Sequence, residues 1–368
     1  MVNLSVVTIT QDSEETIADL VKNALEIGDE SIVVDVGSAD RTAEAARQAG
    51  ARVFSPDIPR FDYSSPRNFG ARKAEWDWVL QLDTDERIDA RYRPVIRKAI
   101  ESGRHSYYDL LQINPDSHCP ICDGDDESSV HLQARLYDRV KHSYFGLVYE
   151  WLYPLNKTSV IPAVIINRKD VGSAKTNGEG KKRLRLADEE FDKLVLSSRE
   201  VKNSDDAVRY VSRFRHLAHL YDLHGKPENP NPKVKYCFSL AEACYLYANI
   251  SGLGSTALDF EMARFFDSLN DLRSALRLID KPTAGLKVLS DEELDFLSYT
   301  RLSATGDFAY ALESFRELES RGYSPTNFQL KSYLLRKAGR IRESEEAWAA
   351  FKREIPEASL LEKKVDLA

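Results

Sequence analysis

Short apolar runs alternate with longer amphipathic segments over the first quarter of the chain. Four runs have the length and apolar content of buried strands: Leu4–Thr10, Ser31–Asp35, Ala51–Phe54 and Trp78–Leu82. The segments between them have helical spacing and are predicted as helices beginning at Ser13 and spanning Asp40–Ala49 and Ser65–Ala74. This alternation predicts a Rossmann-like α/β domain, with a mostly parallel sheet and helices on both faces.

The pattern changes beyond this first part. Tyr107–Ile113 and Val160–Ile166 are predicted as further strands. Gly172–Gly180 is polar and rich in glycine, which predicts a mobile loop at a domain edge. From residue 186 onward the apolar spacing is almost wholly helical. We therefore predict two domains, an α/β domain over residues 1–185 and an all-α domain over residues 186–368.

One sequence motif recurs in the helical part. Gly306–Glu313 resembles Gly339–Ala347 at an offset of 33 residues, close to the 34-residue tetratricopeptide period. A glycine turn followed by a helix with small and aromatic packing positions is typical of stacked helical hairpins. We predict degenerate tetratricopeptide-like hairpins over residues 236–360, with an ordinary helical bundle as the alternative.

The composition fits a soluble protein of two domains. The chain has 368 residues, of which 42% are apolar and 30% charged, and its formal net charge is −8. This charge argues against nucleic-acid binding over the whole surface, although Lys181–Arg185 could line a local basic groove. No apolar run has the length of a membrane span, and Met1 leads into the first strand without a signal-peptide pattern. We expect a cytoplasmic protein.

The four cysteines form two close pairs along the chain. Cys119 and Cys122, with His118 and His131, resemble half of a zinc site, and a pair of free thiols is the favoured alternative. Cys237 and Cys244 lie two helical turns apart and are predicted to pack in a core.

Two carboxylates follow the fourth predicted strand directly, in Asp83-Thr84-Asp85. In parallel sheets ligands bind outside the carboxyl ends of the strands, and Asp35 ends the second strand at the same edge. Carboxylates at this spacing can converge on Mg²⁺ or Mn²⁺, which would bridge them to a diphosphate. Such triplets are also frequent on solvated turns. The flanking sequence therefore has to decide between a metal site and a solvated turn.

The flanking sequence resembles family 2 glycosyltransferases of the GT-A fold. Four segments match in order and spacing: Ser5–Thr10, Ile32–Thr42, Pro66–Gly70 and Trp78–Glu86. The resemblance returns at Ala134–Tyr137 and Gly146–Glu150, which are similar to the Arg-Leu-Phe and Gly-x-x-His-Glu motifs of one branch of the family. That branch includes peptide glycosyltransferases, and its members often have a helical repeat tail.

The resemblance implies a metal-dependent, inverting hexosyltransferase that uses a nucleotide-diphosphate sugar, with a UDP-sugar favoured. Thr8 and Thr10 would line the base and ribose pocket, and Asp35 would accept hydrogen bonds from base or ribose. Ser38, with Asp40, would shape the following turn, although either could simply cap the next helix. The further donor-binding candidates are Arg67, Asn68, Gln81, Asp83, Thr84, Arg135 and Arg168. The candidate ligands for Mn²⁺ or Mg²⁺ are Asp83 and Asp85, and Asp85 is also predicted to be catalytic.

Inversion needs one displacement and one base to take the acceptor proton. Glu150 is the leading candidate, since it lies between Tyr149 and Trp151, on which a sugar ring could stack. Its alternative role is a structural carboxylate that orients Arg135. Asp138 and Glu86 are weaker candidates for the base.

The chain departs from the family pattern at two positions. Tyr149 stands where related proteins have His, and Asn167–Asp170 stands where a second His would complete the metal or diphosphate contacts. Arg168 or the Lys181–Arg185 run could replace that His as a cation over the diphosphate, although the run could also be a solvated helix start. Gly172–Gly180 would then act as a lid.

Several acceptors remain open at this point. The helical tail favours a soluble macromolecule, a peptide or protein, because stacked hairpins form grooves that bind peptides or mediate homodimers. The alternatives are hydroxymethylated DNA, which would need a basic groove, and a polysaccharide or lipid-linked acceptor. A hypothesis of a different class is a non-catalytic binding scaffold, against which the intact Asp-Thr-Asp argues.

Overall fold

The computed structural model describes residues 2–58, 62–114, 130–148, 150–153, 160–167, 177–223, 231–280, 283–321 and 325–357. Ten strands lie in this part of the chain. They are β1 (Leu4–Thr10), β2 (Glu30–Asp35), β3 (Arg52–Phe54), β4 (Trp78–Gln81), β5 (Glu86–Ile88), β6 (Tyr107–Ile113), β7 (Val130–Asp138), β8 (Ser143–Phe145), β9 (Trp151–Tyr153) and β10 (Val160–Asn167).

Eight of these strands form one sheet in the order β3-β2-β1-β4-β7-β6-β10-β5. The first four are parallel, as predicted. Beyond β4 the sheet is mixed, because β7 is antiparallel to β4 and β6, and β5 is antiparallel to β10. The strands β8 and β9 form a separate hairpin. This mixed sheet followed by helices confirms the predicted GT-A-like fold class.

The sheet is covered by α1 (Ile17–Ile27), α2 (Thr42–Gln48), α3 (Ser64–Lys73) and α4 (Arg93–Ser102), with a short 3-10 helix at Ala90–Tyr92. The predicted helix over Asp40–Ala49 is shorter than expected at its start. Asp40 stays outside α2 because its carboxylate accepts hydrogen bonds from the backbone N–H of Glu14 and Thr42. It therefore ties α2 to the loop after β1.

The second half of the described chain consists of helices, as predicted. They are α5 (Asn177–Ser197), α6 (Ser204–Leu223), α7 (Pro232–Ile250), α8 (Thr256–Ser268), α9 (Leu272–Ile279), α10 (Asp291–Thr305), α11 (Phe308–Ser320), α12 (Pro325–Lys337) and α13 (Ile341–Glu354), with a 3-10 helix at Thr283–Val288. We refer to α5–α13 as the helical region.

The prediction of a loop over Gly172–Gly180 is wrong for its last four residues, because Asn177–Gly180 form the first turn of α5. The length of α5 explains this, because Leu186, Ala187 and Leu194 bury one face in the helical core and stabilise the whole helix. Residues 172–176 lie outside the described ranges. The helix also crosses the predicted domain boundary after residue 185, which stays a prediction.

The repeated motif has the same backbone geometry in both copies. Gly306 and Gly339 have φ angles of 71° and 74° and are followed by α11 and α13. This left-handed conformation favours glycine because a Cβ would be strained there. Each copy also brings two serines of antiparallel helices into contact, Ser298 with Ser314 at 2.8 Å and Ser332 with Ser344 at 2.9 Å.

The last described helix packs against the α/β domain. Trp348, Phe351 and Ile355 belong to the same hydrophobic core as Ile96 and Ile100 of α4. Glu357 reinforces this contact, since its carboxylate accepts hydrogen bonds from Arg91 and from the Tyr92 hydroxyl. The helical region therefore begins and ends on the α/β domain.

We predict that acid weakens the helical region through His216. Burial, with the nearby Arg215 and Arg213, holds the pKa of His216 well below its usual value. A lowered pKa in the folded state stabilises the protein above the unfolded pKa of about 6.5 and loses that contribution as the pH falls. The free energy of unfolding, measured with urea, should fall between pH 7.5 and 5.5 by up to about 1.4 kcal/mol per pH unit.

The control is His216→Gln, in which the drop should be smaller. Equal pH dependence in both proteins would contradict the assignment. Burial also lowers the pKa of His219, so some dependence should persist in the variant.

Only one of the two cysteine pairs lies in the described part of the chain. Cys237 and Cys244 are both buried in the helical core, as predicted. His118, Cys119 and Cys122, for which free thiols were favoured over half of a zinc site, lie outside the described residues, and of His131 only the backbone in β7 is described. Within the described ranges, no helix combines the length and apolar character needed to cross a bilayer.

Candidate active site

The carboxyl ends of β1, β2 and β4 form one edge of the sheet, as the parallel order requires. Thr10 of β1 is paired with Asp35 of β2, and Thr8, Thr10 and Asp35 are all buried. Within the described chain, the Thr10 hydroxyl is buried without a hydrogen-bond partner. A buried polar group of this kind is costly unless a ligand or water pairs with it.

The turn after β2 is held by its own side chains. The Asp35 carboxylate accepts hydrogen bonds from the backbone N–H and the hydroxyl of Ser38, at 2.9 and 2.7 Å. Ser38 also accepts from the backbone N–H of Asp12, so it links two loops at this edge instead of capping α2. A hydrogen bond from the Thr42 hydroxyl is the main cause that lowers the pKa of Asp40.

Helix α3 approaches the sheet closely and places Arg67 at this edge. A Cβ on Gly70 would lie 2.4 Å from a Val7 methyl and 2.9 Å from one of Val34. Glycine at residue 70 therefore allows a separation between helix and sheet that no other residue fits. Arg67 lies one turn earlier on the same face of α3.

Asp83 lies between two buried arginines. Its Oδ1 accepts a hydrogen bond from Arg67 Nη2 and its Oδ2 one from Arg135 Nη2, both at 2.8 Å. Burial works to raise the pKa of Asp83, but the Arg135 and Arg67 guanidinium groups outweigh it and hold the pKa well below its usual value. The carboxylate is therefore charged at neutral pH and fixes both guanidinium groups.

Each guanidinium also keeps a buried N–H without a partner among the described residues, Arg67 Nη1 and Arg135 Nε. Arg67 and Arg135 are 4% and 8% exposed. Unpaired N–H groups on buried cations favour an anion or hydroxyl ligand, because charge-assisted hydrogen bonds are the stronger ones.

Glu86 is a buried carboxylate that binds both Arg135 and the backbone of Asp83. Its side chain is 1% exposed and accepts hydrogen bonds from Arg135 Nη2, Gln112 Nε2 and the backbone N–H of Asp83. Burial raises the pKa of Glu86. Because Glu86 is buried, it cannot contact an acceptor directly as a base would. Its contacts indicate that it orients Arg135 and Asp83. Gln112 was not predicted, since a polar residue inside a strand has no recognisable pattern.

Glu150 contacts the same cluster through Arg67. Its Oε1 accepts a hydrogen bond from Arg67 Nε at 2.7 Å, and its side chain is 13% exposed. The expected alternative role, orienting Arg135, is therefore corrected: the hydrogen bond runs to Arg67. Tyr149, the residue before it, lies outside the described residues.

Three of the residues predicted as donor contacts have hydrogen-bond partners within the protein. The Asn68 side chain donates to Tyr144 O and accepts from Tyr144 N, both at 2.7 Å, and so holds the β8–β9 hairpin. Gln81 is fully buried and donates to the Tyr137 hydroxyl at 3.1 Å, beneath the edge. Thr84 is partly buried, and its carbonyl accepts from Arg87. Arg168 lies outside the described residues.

The described residues fit a divalent metal held by few protein groups. Both oxygens of Asp83 accept arginine N–H bonds, which disfavours Asp83 as a metal ligand. Asp85, the other carboxylate of the triplet, is partly buried. Asn167, paired with Glu86 across β10 and β5, has a buried Oδ1 without a partner in the described chain. No cluster of three His, Cys, Asp or Glu residues is found in the described ranges. Oxygen donors of this kind suit Mg²⁺ or Mn²⁺.

The sequence is similar to parts of several known proteins. Residues 5–117 match the family model of Glycosyl transferase family 2. An uncharacterized glycosyltransferase of Rickettsia typhi is 32% identical over 113 residues, which cover 31% of this chain and 38% of that protein. A TPR repeat-containing protein of Synechococcus elongatus is 36% identical over 88 residues, which cover 24% of this chain and 22% of that protein.

Among solved structures, glucosyl-3-phosphoglycerate synthase of Mycobacterium tuberculosis, in complex with Mn²⁺, UDP and phosphoglyceric acid, is similar at 24% identity. The match covers 31% of this chain and 44% of that chain, with a TM-score of 0.27. The chain spans well under half the length of the curated relatives named above. Residues 5–117 are thus similar to glycosyl transferase family 2, and the mixed sheet followed by helices has the predicted GT-A-like fold class.

Proposed function

We propose that the protein is an inverting, metal-dependent glycosyltransferase that moves a sugar from a nucleotide-diphosphate sugar to a macromolecular acceptor. The observation that supports this most directly is the arrangement around Asp83. Two fixed guanidinium groups with unpaired N–H bonds and a second carboxylate, Glu150, meet at the sheet edge beside Thr10 and Asp35.

The donor would lie along the edge from β2 to β4. The Asp35 carboxylate would accept hydrogen bonds from base or ribose hydroxyls, and the buried Thr10 hydroxyl would gain the partner it lacks. Arg67 and Arg135 would direct their unpaired N–H groups at the diphosphate or the sugar. These cations are already oriented by Asp83, so they need no reorganisation as negative charge develops on the leaving group.

Asp85 would hold the metal, with the Asn167 amide oxygen as a further candidate ligand. When bound, Mn²⁺ or Mg²⁺ neutralises the leaving diphosphate. Asp83 is retained as a metal candidate from the sequence, but its hydrogen bonds favour a role in orienting the arginines.

Glu150 would remove the acceptor proton at the face of the sugar opposite the leaving group. Its hydrogen bond to Arg67 holds one carboxylate oxygen, and the other can turn toward an acceptor hydroxyl or thiol. A base of this kind contributes about 10²- to 10⁴-fold to a rate.

The acceptor is proposed from the helical region. Its helices follow the site directly in the chain, and its repeated hairpins resemble those that bind peptides. A peptide or protein acceptor is therefore favoured over a polysaccharide, a lipid-linked sugar or hydroxymethylated DNA. We propose a UDP-sugar as donor and the cytoplasm as location.

A donor screen by thermal shift with Mn²⁺ tests this proposal. A donor at about 100 times its dissociation constant stabilises the fold by about 2.7 kcal/mol, so a UDP-sugar with Mn²⁺ should raise the melting temperature and release UDP slowly. Asp85→Asn should lose the metal-dependent part of both effects. Full metal-dependent turnover in that variant would refute the role of Asp85. The absence of binding or hydrolysis with every donor would overturn the enzyme proposal.

A further inference from the structure

The segment that leads to Glu150 is part of the helical core. Val148 is 2% exposed and belongs to the same hydrophobic cluster as Leu186, Leu217 and Phe214 of α5 and α6, and Leu147 packs against that cluster. Two residues later, Glu150 contacts Arg67 at the sheet edge. Residues 147 and 148 therefore contact the helical region, and residue 150 contacts the candidate active site.

A buried ion pair holds the backbone of this segment. Glu190 of α5 accepts hydrogen bonds through Oε2 from the backbone N–H of Leu147 at 2.9 Å and of Val148 at 3.3 Å. Arg213 of α6 donates through Nη2 to the Val148 carbonyl at 2.7 Å and through Nε to Glu190 Oε1 at 2.6 Å. Glu190 and Arg213 are 4% and 0% exposed.

Gly146 permits this contact. A Cβ at residue 146 would lie 2.7 Å from Arg213 Nη2, and the φ angle of 108° lies where side chains are strained. The glycine of the Gly146–Glu150 motif is thus needed for the arginine to reach the backbone. The motif itself predicts a turn but does not reveal its partner.

Stability alone does not explain such a pair. Two charges removed from water bring a large desolvation penalty, and a well-packed apolar pair is often as stable. What an apolar pair cannot do is satisfy three backbone groups in the turn between β8 and β9. The pair therefore fixes where this backbone lies, together with the hydrogen bond from Tyr63 N to Leu147 O at 3.0 Å.

We propose that Glu190 and Arg213 are positioning residues of the active site, which place Glu150 against Arg67 from the helical region. This inference rests on the proposed function, in which Glu150 is the base. The helical region then has a second role beside acceptor binding, because it completes the catalytic geometry of the α/β domain.

Amide hydrogen exchange tests the positioning without any turnover. In Glu190→Gln, the side chain keeps its shape but has one acceptor oxygen for four donors, the amides of Leu147 and Val148 and the Nε and Nη2 of Arg213. The amides of Leu147 and Val148 should exchange at least about tenfold faster than in the unaltered protein. The matched control is Arg301→Lys, because Arg301 is 1% exposed and pairs with Asp280 within the helical region. That variant should leave both amides unchanged, and unchanged exchange in Glu190→Gln would overturn the proposal.

Kinetics test whether the pair acts through Glu150. Glu190→Gln should lower kcat by about 10²-fold with the KM of the donor within threefold, since a misplacement of about 1 Å can have this effect. In a Glu150→Gln background the same change should have little further effect, whereas a purely structural role would lower both proteins equally. Arg213→Lys, which keeps the charge but loses the planar fork, provides a second variant if Glu190→Gln fails to fold.

The two proposals fail in different ways. If the unaltered protein turns over no donor, the proposed function fails, and the exchange result alone decides whether the pair holds the segment. If the protein is active but Glu190→Gln and Arg213→Lys both retain full kcat, the positioning role is overturned while the proposed function stands.

Discussion

Replacing Asp83 by Asn should lower both the activity and the free energy of unfolding. The amide offers one oxygen to two guanidinium groups that now each have a carboxylate oxygen, and its NH₂ group would face a cation. Breaking a buried pair by removing one partner typically costs about 3–5 kcal/mol, because the remaining charge is uncompensated. Since both arginines would lose their orientation, we expect a fall in kcat/KM of at least about 10²-fold.

The measurements are urea unfolding and nucleotide release under the same conditions. The matched control is Asp77→Asn, because Asp77 precedes β4 as Asp83 follows it, and its ion pair with Arg139 is exposed. An exposed pair contributes about 1 kcal/mol or less, so this variant should remain close to the unaltered protein in both assays. An Asp83→Asn protein with normal stability and normal turnover would show that the arginines are oriented by other groups.

Replacing Glu150 by Gln should abolish transfer but keep donor binding. The amide oxygen can still accept the hydrogen bond from Arg67 Nε that the carboxylate accepts at 2.7 Å, so Arg67 keeps its orientation. The amide cannot take a proton from the acceptor, and we expect kcat to fall by about 10²- to 10⁴-fold. The dissociation constant of the donor should change by less than threefold.

A comparison with Glu150→Ala separates the two roles of this residue. Alanine removes the base and the hydrogen bond together, so donor binding should weaken in Glu150→Ala but not in Glu150→Gln. If Glu150→Gln keeps most of its kcat while Glu150→Ala loses donor affinity, Glu150 orients Arg67 and the base is another group. Transfer is measured with the acceptor present and donor binding by calorimetry.

The sequence predicted the elements of this edge because they are local. A buried strand of four or five residues followed directly by Asp83-Thr84-Asp85 has a pattern that neighbouring residues define, and the parallel order brings Asp35 to the same edge. The helical half was predictable for the same reason, since the glycines at residues 306 and 339 end and begin successive helices.

The partners within the site were not predictable from local pattern. Arg67, Arg135 and Glu150 meet Asp83 or one another across separations of 16, 52 and 83 residues, and no periodicity encodes such pairings. The mixed part of the sheet was missed for a related reason, because β7 enters between β4 and β6 out of chain order. Asn68 was predicted as a donor contact, and the motif did not reveal that its side chain also binds the backbone of Tyr144.

The packing of α13 on α4 has a consequence for the order in which the protein forms during translation. The core around Ile96 and Ile100 includes Trp348, Phe351 and Ile355, so the ribosome must synthesise the chain as far as residue 355 before that core can close. Until then the nascent α/β domain exposes apolar surface, the situation in which chains aggregate or recruit chaperones. The α/β domain, although first to be synthesised, can reach its final packing only after α13 has been made.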